Sequence, residues 1–356
     1  MSGQRVYLLP EGKTQYKANL HCHSTISDGQ YTPEEVKALY KGQGYSVLAM
    51  TDHEVMVPHP ELCDEDFLVL TAYETAVYGD RDLPKPMRRL SHLNLYAKKP
   101  GMAKLPFFNT ADLYSLDKPP DISLARFDGP EITKEYSAEG LNRLIRMARE
   151  AGFLVCYNHP TWSMEDASVY TKLEGLFAME IFNTGCETSG YAAYCPYIYD
   201  EMLRSGQRIA PVAADDMHKA KDLFGGFCMI FADRLEYEEI IGAMERGDFY
   251  ASRGPLIKAL WFEDGMFHIE TTPAKRIMIS NSGRRNWGAS GRKAPEGEFL
   301  TSAEFSLSDL DLYVRFTVED ENGLTANTRG FRREEFTDEP ASVPDLLRRK
   351  VGDSGR

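Results

Sequence analysis

The sequence contains no apolar run that approaches the roughly 20 residues needed to span a bilayer. Its N-terminal segment also lacks a basic region followed by a long apolar stretch and a small-residue cleavage site, so secretion by the usual signal is not expected. The six cysteines are scattered and form no CxxC pair, which argues against a structural zinc finger and favours reduced thiols. The default expectation is therefore a cytoplasmic protein without a membrane partner.

Positive charge is scarce as well. The chain has 41 lysines and arginines against 54 aspartates and glutamates, which gives a formal net charge of −13 at pH 7. Because nucleic-acid-binding proteins usually present a basic face, a long polynucleotide is not the expected partner. A small anionic molecule, attracted by positive charge that is confined to one site, fits this composition better.

The chain divides into two regions of different pattern. Its 356 residues exceed the roughly 100 to 200 residues of a typical domain. In the first region short apolar runs alternate with amphipathic stretches, which predicts an α/β domain over 1–253. Short alternating runs and an Asn322-Gly323 turn then predict a smaller all-β sandwich over 254–335, followed by a charged, loosely docked tail over 336–356.

Several apolar runs in the first region end in polar residues. They are YSVLAMTDH, FLVCYNHP, FAMEIFNTG and RIAPVAADDMH. Barrels of parallel strands place their chemistry at the carboxyl ends of the strands, so these polar residues are expected to meet. The stretch from about 79 to 135, in which only HLNLYA indicates a strand, interrupts the pattern and is predicted to be an insertion that lies over the site.

Helices are predicted between these runs. The first begins at Thr32, where Glu35 completes a capping box and the intervening proline suits the first helical position. Further amphipathic stretches predict helices at about 139–151, 190–205 and 236–246. The alternation of strands and helices indicates an α/β architecture.

The strongest local signal is the segment NLHCHSTISDG. In an extended segment His21 and His23 face the same side, so both imidazoles can reach one metal ion. Asp28 follows on the loop and offers a hard oxygen donor. Two histidines at this spacing also occur as surface or core residues without a ligand, so the motif depends on support from the rest of the chain.

Histidines and acids recur at the ends of the other apolar runs. Six of the eight histidines follow this pattern, and only His59 and His268 lie outside it. The positions concerned are His21, His23, Asp52, His53, Glu74, His92, His159, Asp216 and His218. This distribution predicts a hydrolase site in which histidines and carboxylates hold a cluster of divalent metal ions.

These motifs resemble those of the polymerase and histidinol phosphatase (PHP) family of metal-dependent phosphoesterases. The resemblance is carried by HCHSTISDG, TDH, the glutamate of AYE, HLNLY, NHP and DDMH, in that order, and it covers about residues 17–253. It implies a distorted (β/α)7 TIM-like barrel with two to three divalent ions, commonly zinc, manganese or iron. The addition of a C-terminal β-sandwich resembles a two-domain subgroup of such hydrolases, some of which are related to carbamate-ester hydrolases.

Transferred position by position, the resemblance implies nine metal ligands in three sets. They are His21, His23, Glu74 and Asp216 for the first ion, a bridging Glu74 with His92 and His159 for the second, and Asp28, His53 and His218 for the third. Some relatives have a histidine near the place of Asp28, so the third site is expected to be harder in character and to favour manganese or iron over zinc. Asp52 is expected to support catalysis by orienting a ligand rather than by binding metal.

Four basic residues near these motifs are candidates for contacts with the substrate. They are Arg88, Arg89, Lys219 and Arg253. A bidentate arginine suits the geometry of a phosphate group, and Arg253 is placed at the end of the predicted barrel, where a catalytic role is expected. The alternative interpretation of each is a solvated surface charge.

The implied reaction is the hydrolysis of a small phosphomonoester, such as a nucleotide or a sugar phosphate. Neighbouring divalent ions acidify a water molecule, and the resulting hydroxide attacks phosphorus in line. The same hydroxide attacks a carbonyl, so a carboxyl or carbamate ester hydrolase is the alternative among enzymes. A metal-stabilised binding module without catalytic activity is the alternative from another class, and a nuclease is disfavoured by the negative charge.

Overall fold

The structure is a computed structural model that describes residues 5–113, 118–285 and 290–343. Within these ranges the fold is mixed α/β, with one large sheet, one small sheet and few helices. The strands are β1 (Val6–Tyr7), β2 (Thr14–Asn19), β3 (Val47–Met50), β4 (Leu68–Tyr78), β5 (Leu90–Ala97), β6 (Phe153–Tyr157), β7 (Ala178–Asn183), β8 (Ala210–Ala214), β9 (Phe227–Ala232), β10 (Phe249–Ser252), β11 (Ile257–Glu263), β12 (Met266–Ala274), β13 (Arg276–Asn281), β14 (Gly291–Lys293), β15 (Leu300–Ser306), β16 (Tyr313–Glu319), β17 (Thr325–Asn327) and β18 (Phe331–Arg332). The α-helices are α1 (Pro33–Lys41), α2 (Thr110–Leu113), α3 (Ala138–Glu150), α4 (Ala167–Tyr170), α5 (Thr184–Thr188), α6 (Pro196–Arg204) and α7 (Tyr237–Arg246).

The large sheet has 14 strands and mixed strand directions. Its order is β14-β13-β16-β17-β10-β9-β2-β3-β4-β5-β6-β7-β8, and β18 pairs with β16. The strands β2, β3 and β4 are mutually parallel, and so are β6, β7 and β8. The strands β5 and β9 run antiparallel to their neighbours. Since β8 at the end of the sheet also contacts β9 and β10, the sheet curls back toward itself.

The predicted α/β class is confirmed, but a closed seven-stranded barrel with a helix after each strand is not. The strand β4 is followed by an antiparallel partner, β5, and an antiparallel pair needs no helical crossover. The connection between them contains only the 3-10 turn Lys85–Met87. The region predicted as an insertion at about 79–135 therefore contributes β5, which is a strand inside the large sheet.

Three of the four predicted helices begin within one residue of their predicted positions. At α1 the Thr32 hydroxyl accepts a hydrogen bond from the Glu35 amide, and the Glu35 carboxylate accepts one from the Thr32 amide, as the predicted capping box requires. The predictions at about 139–151 and 236–246 are confirmed within one residue by α3 and α7. The prediction at about 190–205 is too long, because α6 starts only at Pro196. None of the described helices is long and apolar enough to cross a membrane.

The strands after residue 253 form two facing layers with an aromatic core between them. The small sheet has the order β1-β11-β12-β15 and packs on the C-terminal strands of the large sheet. The rings of Phe267 and Phe305 contact Phe316 at 5.7 and 6.1 Å between centroids, and all three are fully buried. Hydrogen-bonded ladders cross the predicted boundary, because β10 pairs with β17 and β1 pairs with β11. The division into domains therefore stays a prediction.

The start of the predicted tail is docked on this core. The Phe336 side chain is buried and its ring lies 5.1 Å from both Phe262 and Phe267. The remainder of the tail, 344–356, lies outside the described residues.

Candidate metal centre

The predicted ligands lie at one edge of the large sheet. They follow or belong to β2 (His21, His23 and Asp28), β3 (His53), β4 (Glu74), β5 (His92), β6 (His159) and β8 (Asp216 and His218). The strands β2, β3, β4, β6 and β8 point the same way, so their carboxyl ends open at the same edge. Because β5 runs in the opposite direction, its first residues, including His92, reach that edge too.

Four side chains converge at the first predicted metal position. The His21 and His23 Nε2 atoms are 3.2 Å apart. The Asp216 Oδ1 atom lies 3.3 Å from His21 Nε2 and 3.1 Å from His23 Nε2. The Glu74 Oε1 atom lies 3.4 Å from His21 Nε2. Two nitrogens bound to one tetrahedral ion at about 2.0 to 2.1 Å would be about 3.3 Å apart, so this spacing suits a cation between the rings.

The second predicted position is built around the same glutamate. The Glu74 Oε1 atom lies 2.9 Å from His92 Nδ1 and 3.3 Å from His159 Nε2. It also accepts a hydrogen bond from Asn158 Nδ2 at 2.8 Å. The Glu74 carboxylate is therefore shared between the first and second groups, as a bridging ligand would be.

The third predicted position lies on the more open side of the cluster. The Asp28 carboxylate lies 3.4 Å from His218 Nε2 and 3.7 Å from His53 Nε2. The ring of His23 stacks on that of His218 with 4.1 Å between centroids, and its Nδ1 atom is buried with no hydrogen-bond partner among the described residues. The third group thus includes His23 in addition to the three predicted residues.

The donor set fits divalent metal ions. All nine predicted ligands fall in groups whose donor atoms lie within 4.8 Å of one another. Imidazole and carboxylate donors in this mixture suit zinc, manganese and iron. Whether each residue binds a metal stays a prediction, but the structure brings all nine together.

The buried charges of the cluster shift one another's pKa values. Burial alone lowers the pKa of the His21 imidazole, but the carboxylates of Asp216, Glu180 and Glu74 outweigh it and raise that pKa well above its usual value. The His53 pKa falls to about 3, because burial and the neighbouring His23 both disfavour its charged form. Rings of the same residue type therefore have opposite protonation preferences within one pocket.

The loop that carries Asp28 is held by Asp52. The Asp52 carboxylate accepts hydrogen bonds from the amide and hydroxyl of Ser24, both at 2.8 Å, and from the amide and hydroxyl of Ser27, at 3.1 and 2.7 Å. The chain also packs closely here, since a Cβ atom at Gly29 would lie 2.4 Å from the His23 carbonyl oxygen. The described contacts of Asp52 are thus with the loop between two predicted ligands, rather than with a ligand ring.

The backbone at Asp216 is strained. Its φ angle is +48°, in the left-handed region that residues other than glycine rarely adopt. The Asp216 amide donates to the His21 carbonyl oxygen at 2.9 Å, and Gly185 lies so close that a Cβ atom there would be 2.9 Å from the Asp216 carbonyl oxygen. The neighbouring strand ends therefore fix the conformation that turns the Asp216 carboxylate toward His21 and His23.

Glu180 is a site residue that the sequence analysis did not identify. Its Oε1 atom lies 2.6 Å from His21 Nδ1, and its Oε2 atom accepts hydrogen bonds from the His159 amide at 3.2 Å and Asn183 Nδ2 at 3.0 Å. Metal-binding histidines commonly donate their second ring N–H to a carboxylate, which fixes the tautomer and the ring orientation. The available signal was an acid inside the otherwise apolar run FAMEIFNTG.

A cavity of about 720 Å³ opens above the cluster. Residues from the predicted ligand set form its floor, and Lys85, Arg88 and Lys219 supply positive charge to its lining. The ring of Trp162 also lines it, close to His92 and His159. The cavity therefore combines predicted metal ligands, cations and an aromatic ring.

Two of the four predicted substrate contacts do not line this cavity. Arg89 forms ion pairs with Asp80 at 2.7 Å and Asp166 at 2.9 Å. Arg253 forms an ion pair with Glu187 at 2.6 Å, and its guanidinium lies 3.9 Å from the centre of the Phe182 ring. The structure does not bring either arginine to the cluster, whereas it places Arg88 and Lys219 at the cavity.

Comparison with known proteins gives matches only among solved structures. No protein-family model matches the chain, and a search of curated proteins finds no match. The chain is similar to a two-domain protein from Bacteroides vulgatus that contains a predicted PHP-like metal-dependent phosphoesterase, with 13% identity and a TM-score of 0.44 over 91% of this chain and 98% of that one. A PHP-like protein is thus among the structures that resemble the chain, as the motifs predict.

Two further matches cover less of this chain. An amidohydrolase from Chromobacterium violaceum has 14% identity and a TM-score of 0.37, over 65% of this chain and 96% of that one. A lesion-specific endonuclease from Pyrococcus furiosus has 14% identity and a TM-score of 0.36, over 65% of this chain and 56% of that one. Because these likenesses are weak in sequence and backbone, the chemistry of the site has to be argued from its own geometry.

Proposed function

We propose that the chain is a metal-dependent hydrolase, and specifically a phosphoesterase that acts on a small phosphomonoester. The observation that carries this proposal is the convergence of nine imidazole and carboxylate side chains, seven of which line a cavity whose lining also contains cations. A metal cluster beside positive side chains suits a substrate that carries at least two negative charges. The net charge of −13 supports a small substrate rather than a polynucleotide.

The cluster residues would hold two to three divalent ions, which when bound would supply an acidified water and positive charge next to the phosphoryl oxygens. With an ion bound, Glu180 would keep the one remaining ring proton of His21 on Nδ1 and leave the Nε2 lone pair for the ion. Because the Glu74 carboxylate is shared by the first and second predicted metal positions, it brings one negative charge to the two positions instead of one to each. This arrangement preserves the electrophilic character that hydrolysis requires.

Residues that line the cavity would bind the part of the substrate phosphate that the ions do not contact. Arg88 and Lys219 line the cavity, and in this proposal they would bind the phosphoryl oxygens that face away from the cluster. A guanidinium can bind two phosphate oxygens at once, whereas an ammonium acts as a point charge. The floor is buried around His92 and His159, which limits the access of bulk water to the reacting phosphorus.

The proposal is tested by comparing two chromogenic esters after loading the protein with manganese. We expect release of p-nitrophenol from p-nitrophenyl phosphate, and loss of that activity in His23→Ala and Glu74→Ala, because each removes a donor from the cluster. The matched control is His268→Ala, since His268 stacks on Trp261 and lies outside the cluster. Equal losses in all three variants would mean that the site is misplaced.

The same assay separates the alternative hydrolase. Rapid cleavage of p-nitrophenyl acetate without hydrolysis of the phosphate ester would replace the phosphoesterase with a carboxyl or carbamate ester hydrolase on the same cluster. Absence of both activities, with stoichiometric metal bound, would favour a metal-stabilised binding module. Tight and salt-sensitive binding of single-stranded DNA would revive a nuclease function.

A further inference from the structure

One wall of the cavity above the cluster is apolar. The wall is formed by the side chains of Tyr78, Pro86, Leu90 and Trp162, and the cations Lys85 and Arg88 belong to the same lining. Tyr78 and Leu90 are directly opposite each other in the β4–β5 ladder, and Pro86 belongs to the 3-10 turn that connects the two strands. The hairpin that replaces a helical crossover therefore builds most of this wall.

Trp162 extends the wall to the cluster itself. The loop after β6 places its ring 5.4 Å from the His92 ring and 5.2 Å from the His159 ring, measured between centroids. Both histidines belong to the second predicted metal position. Because Trp162 also lines the cavity, a leaving group that extends into the cavity from a phosphate held there can contact its ring.

We propose that this wall is the subsite for the leaving group, and that the preferred substrates are phosphomonoesters of alcohols that carry a planar aromatic ring. The inference rests on the proposed phosphoesterase function and narrows it. An aromatic ring gains both apolar burial and ring stacking against Trp162. A sugar ring would lose hydrogen bonds to water against Pro86 and Leu90, whose side chains offer none in return.

Three phosphate esters of primary alcohols test this subsite. Benzyl phosphate, cyclohexylmethyl phosphate and glucose 6-phosphate all carry a six-membered ring one carbon from the ester oxygen, and the rings are aromatic, saturated and hydroxylated respectively. With the manganese-loaded protein we expect kcat/KM to be at least about tenfold higher for benzyl phosphate than for glucose 6-phosphate, with cyclohexylmethyl phosphate in between.

Variants of Trp162 show whether the wall causes the preference. Trp162→Ala should reduce the preference for benzyl phosphate to within about threefold, whereas Trp162→Phe should keep most of it, because the ring face remains. Calorimetric titration with 2-phenylethylphosphonate, in which a methylene replaces the ester oxygen of benzyl phosphate, provides a readout apart from turnover, and its Kd should rise about tenfold in Trp162→Ala. Trp261→Ala is the matched control, since Trp261 stacks on His268 and does not line the cavity.

The outcomes separate this inference from the function on which it rests. Hydrolysis of all three esters with equal kcat/KM, or a preference for glucose 6-phosphate, would overturn the subsite and leave the phosphoesterase in place. An equal loss for all three esters in Trp162→Ala would also overturn it, since the ring would then act on the phosphate rather than on the leaving group. Hydrolysis of none of them would refute the phosphoesterase function itself.

Discussion

Replacement of Glu180 by glutamine should weaken metal binding while the protein stays folded. The Glu180 Oε1 atom lies 2.6 Å from His21 Nδ1, and both side chains are buried. A carboxylate can only accept, so this contact holds the proton on Nδ1 and presents Nε2 to the cluster. Glutamine keeps an acceptor oxygen but removes the negative charge that makes the His21 nitrogen a better donor to a cation.

The expected loss of metal affinity can be derived from the role of the contact between Glu180 and His21. Mutation of an outer partner of a metal-binding histidine typically costs about 10-fold to 100-fold in metal affinity. Because glutamine can still accept from His21, we expect the lower end for Glu180→Gln, about tenfold or about 1.4 kcal/mol. Glu180→Leu removes the acceptor as well, and about 100-fold is expected. Competition for manganese or zinc between the metal-free protein and a chromogenic chelator measures both values.

A partly buried glutamate outside the cluster provides the control. Glu165 accepts a hydrogen bond from the Tyr136 hydroxyl at 2.8 Å and belongs to none of the metal-binding groups. Glu165→Gln should therefore leave metal affinity unchanged. Wild-type affinity in both Glu180 variants, with circular dichroism showing intact folds, would refute the argument that Glu180 acts through His21.

Three further predictions concern stability and the loop at the site. Burial raises the pKa of Glu165 to about 7, so the wild-type protein has its full stability below about pH 4.5 and loses stability as pH rises through 7. Glu165→Gln does not ionise. Its free energy of unfolding in urea should therefore rise by about 2 to 3 kcal/mol relative to that of the wild type between pH 5 and pH 8.5. The Lys134 side chain is fully buried, and its Nζ atom lies 2.7 Å from the Glu54 carboxylate. Lys134→Met leaves that carboxylate buried without its cation, so the free energy of unfolding should fall by about 3 to 5 kcal/mol in the same assay. The added change Glu54→Gln should recover part of this loss. Gly29→Ala should lower metal affinity in the chelator assay, because the new Cβ atom would push against the His23 carbonyl and displace the loop; unchanged affinity would contradict this.

The metal-binding pattern could be predicted because its information is local. Most of the predicted ligands stand at or just after a strand end, and a strand end is marked in the sequence by an apolar run that stops at a polar residue. Glu74 is an exception, because β4 continues past it to Tyr78. The helix start at Thr32 was predictable for the same reason, since a capping box involves residues only three positions apart. Neither inference needed to know which strands are neighbours.

The features that were not predicted depend on partners far apart in the chain. Arg253 was a candidate for phosphate contacts, but its ion-pair partner Glu187 lies 66 positions away. Arg89 pairs with Asp166, 77 positions away, in addition to the nearer Asp80. The antiparallel placement of β5 and the ladder between β10 and β17 likewise depend on pairing that periodicity does not encode. An arginine near a motif is therefore weak evidence of substrate binding until its acidic neighbours are known.

The position of Glu74 explains how a chain with an excess of acids can build an electrophilic site. Its single carboxylate lies within 3.5 Å of ring nitrogens from five imidazoles, and His92 is the nearest of them at 2.9 Å. Separate carboxylates for each metal position would add negative charge to the same small volume and offset the cations. Glu74 lies inside β4, which is hydrogen-bonded to β3 on one side and to β5 on the other. Its backbone therefore cannot shift toward one predicted metal position without changing its distance to the others. If ions bind at the predicted positions, we therefore expect their occupancies to be energetically coupled through this shared carboxylate.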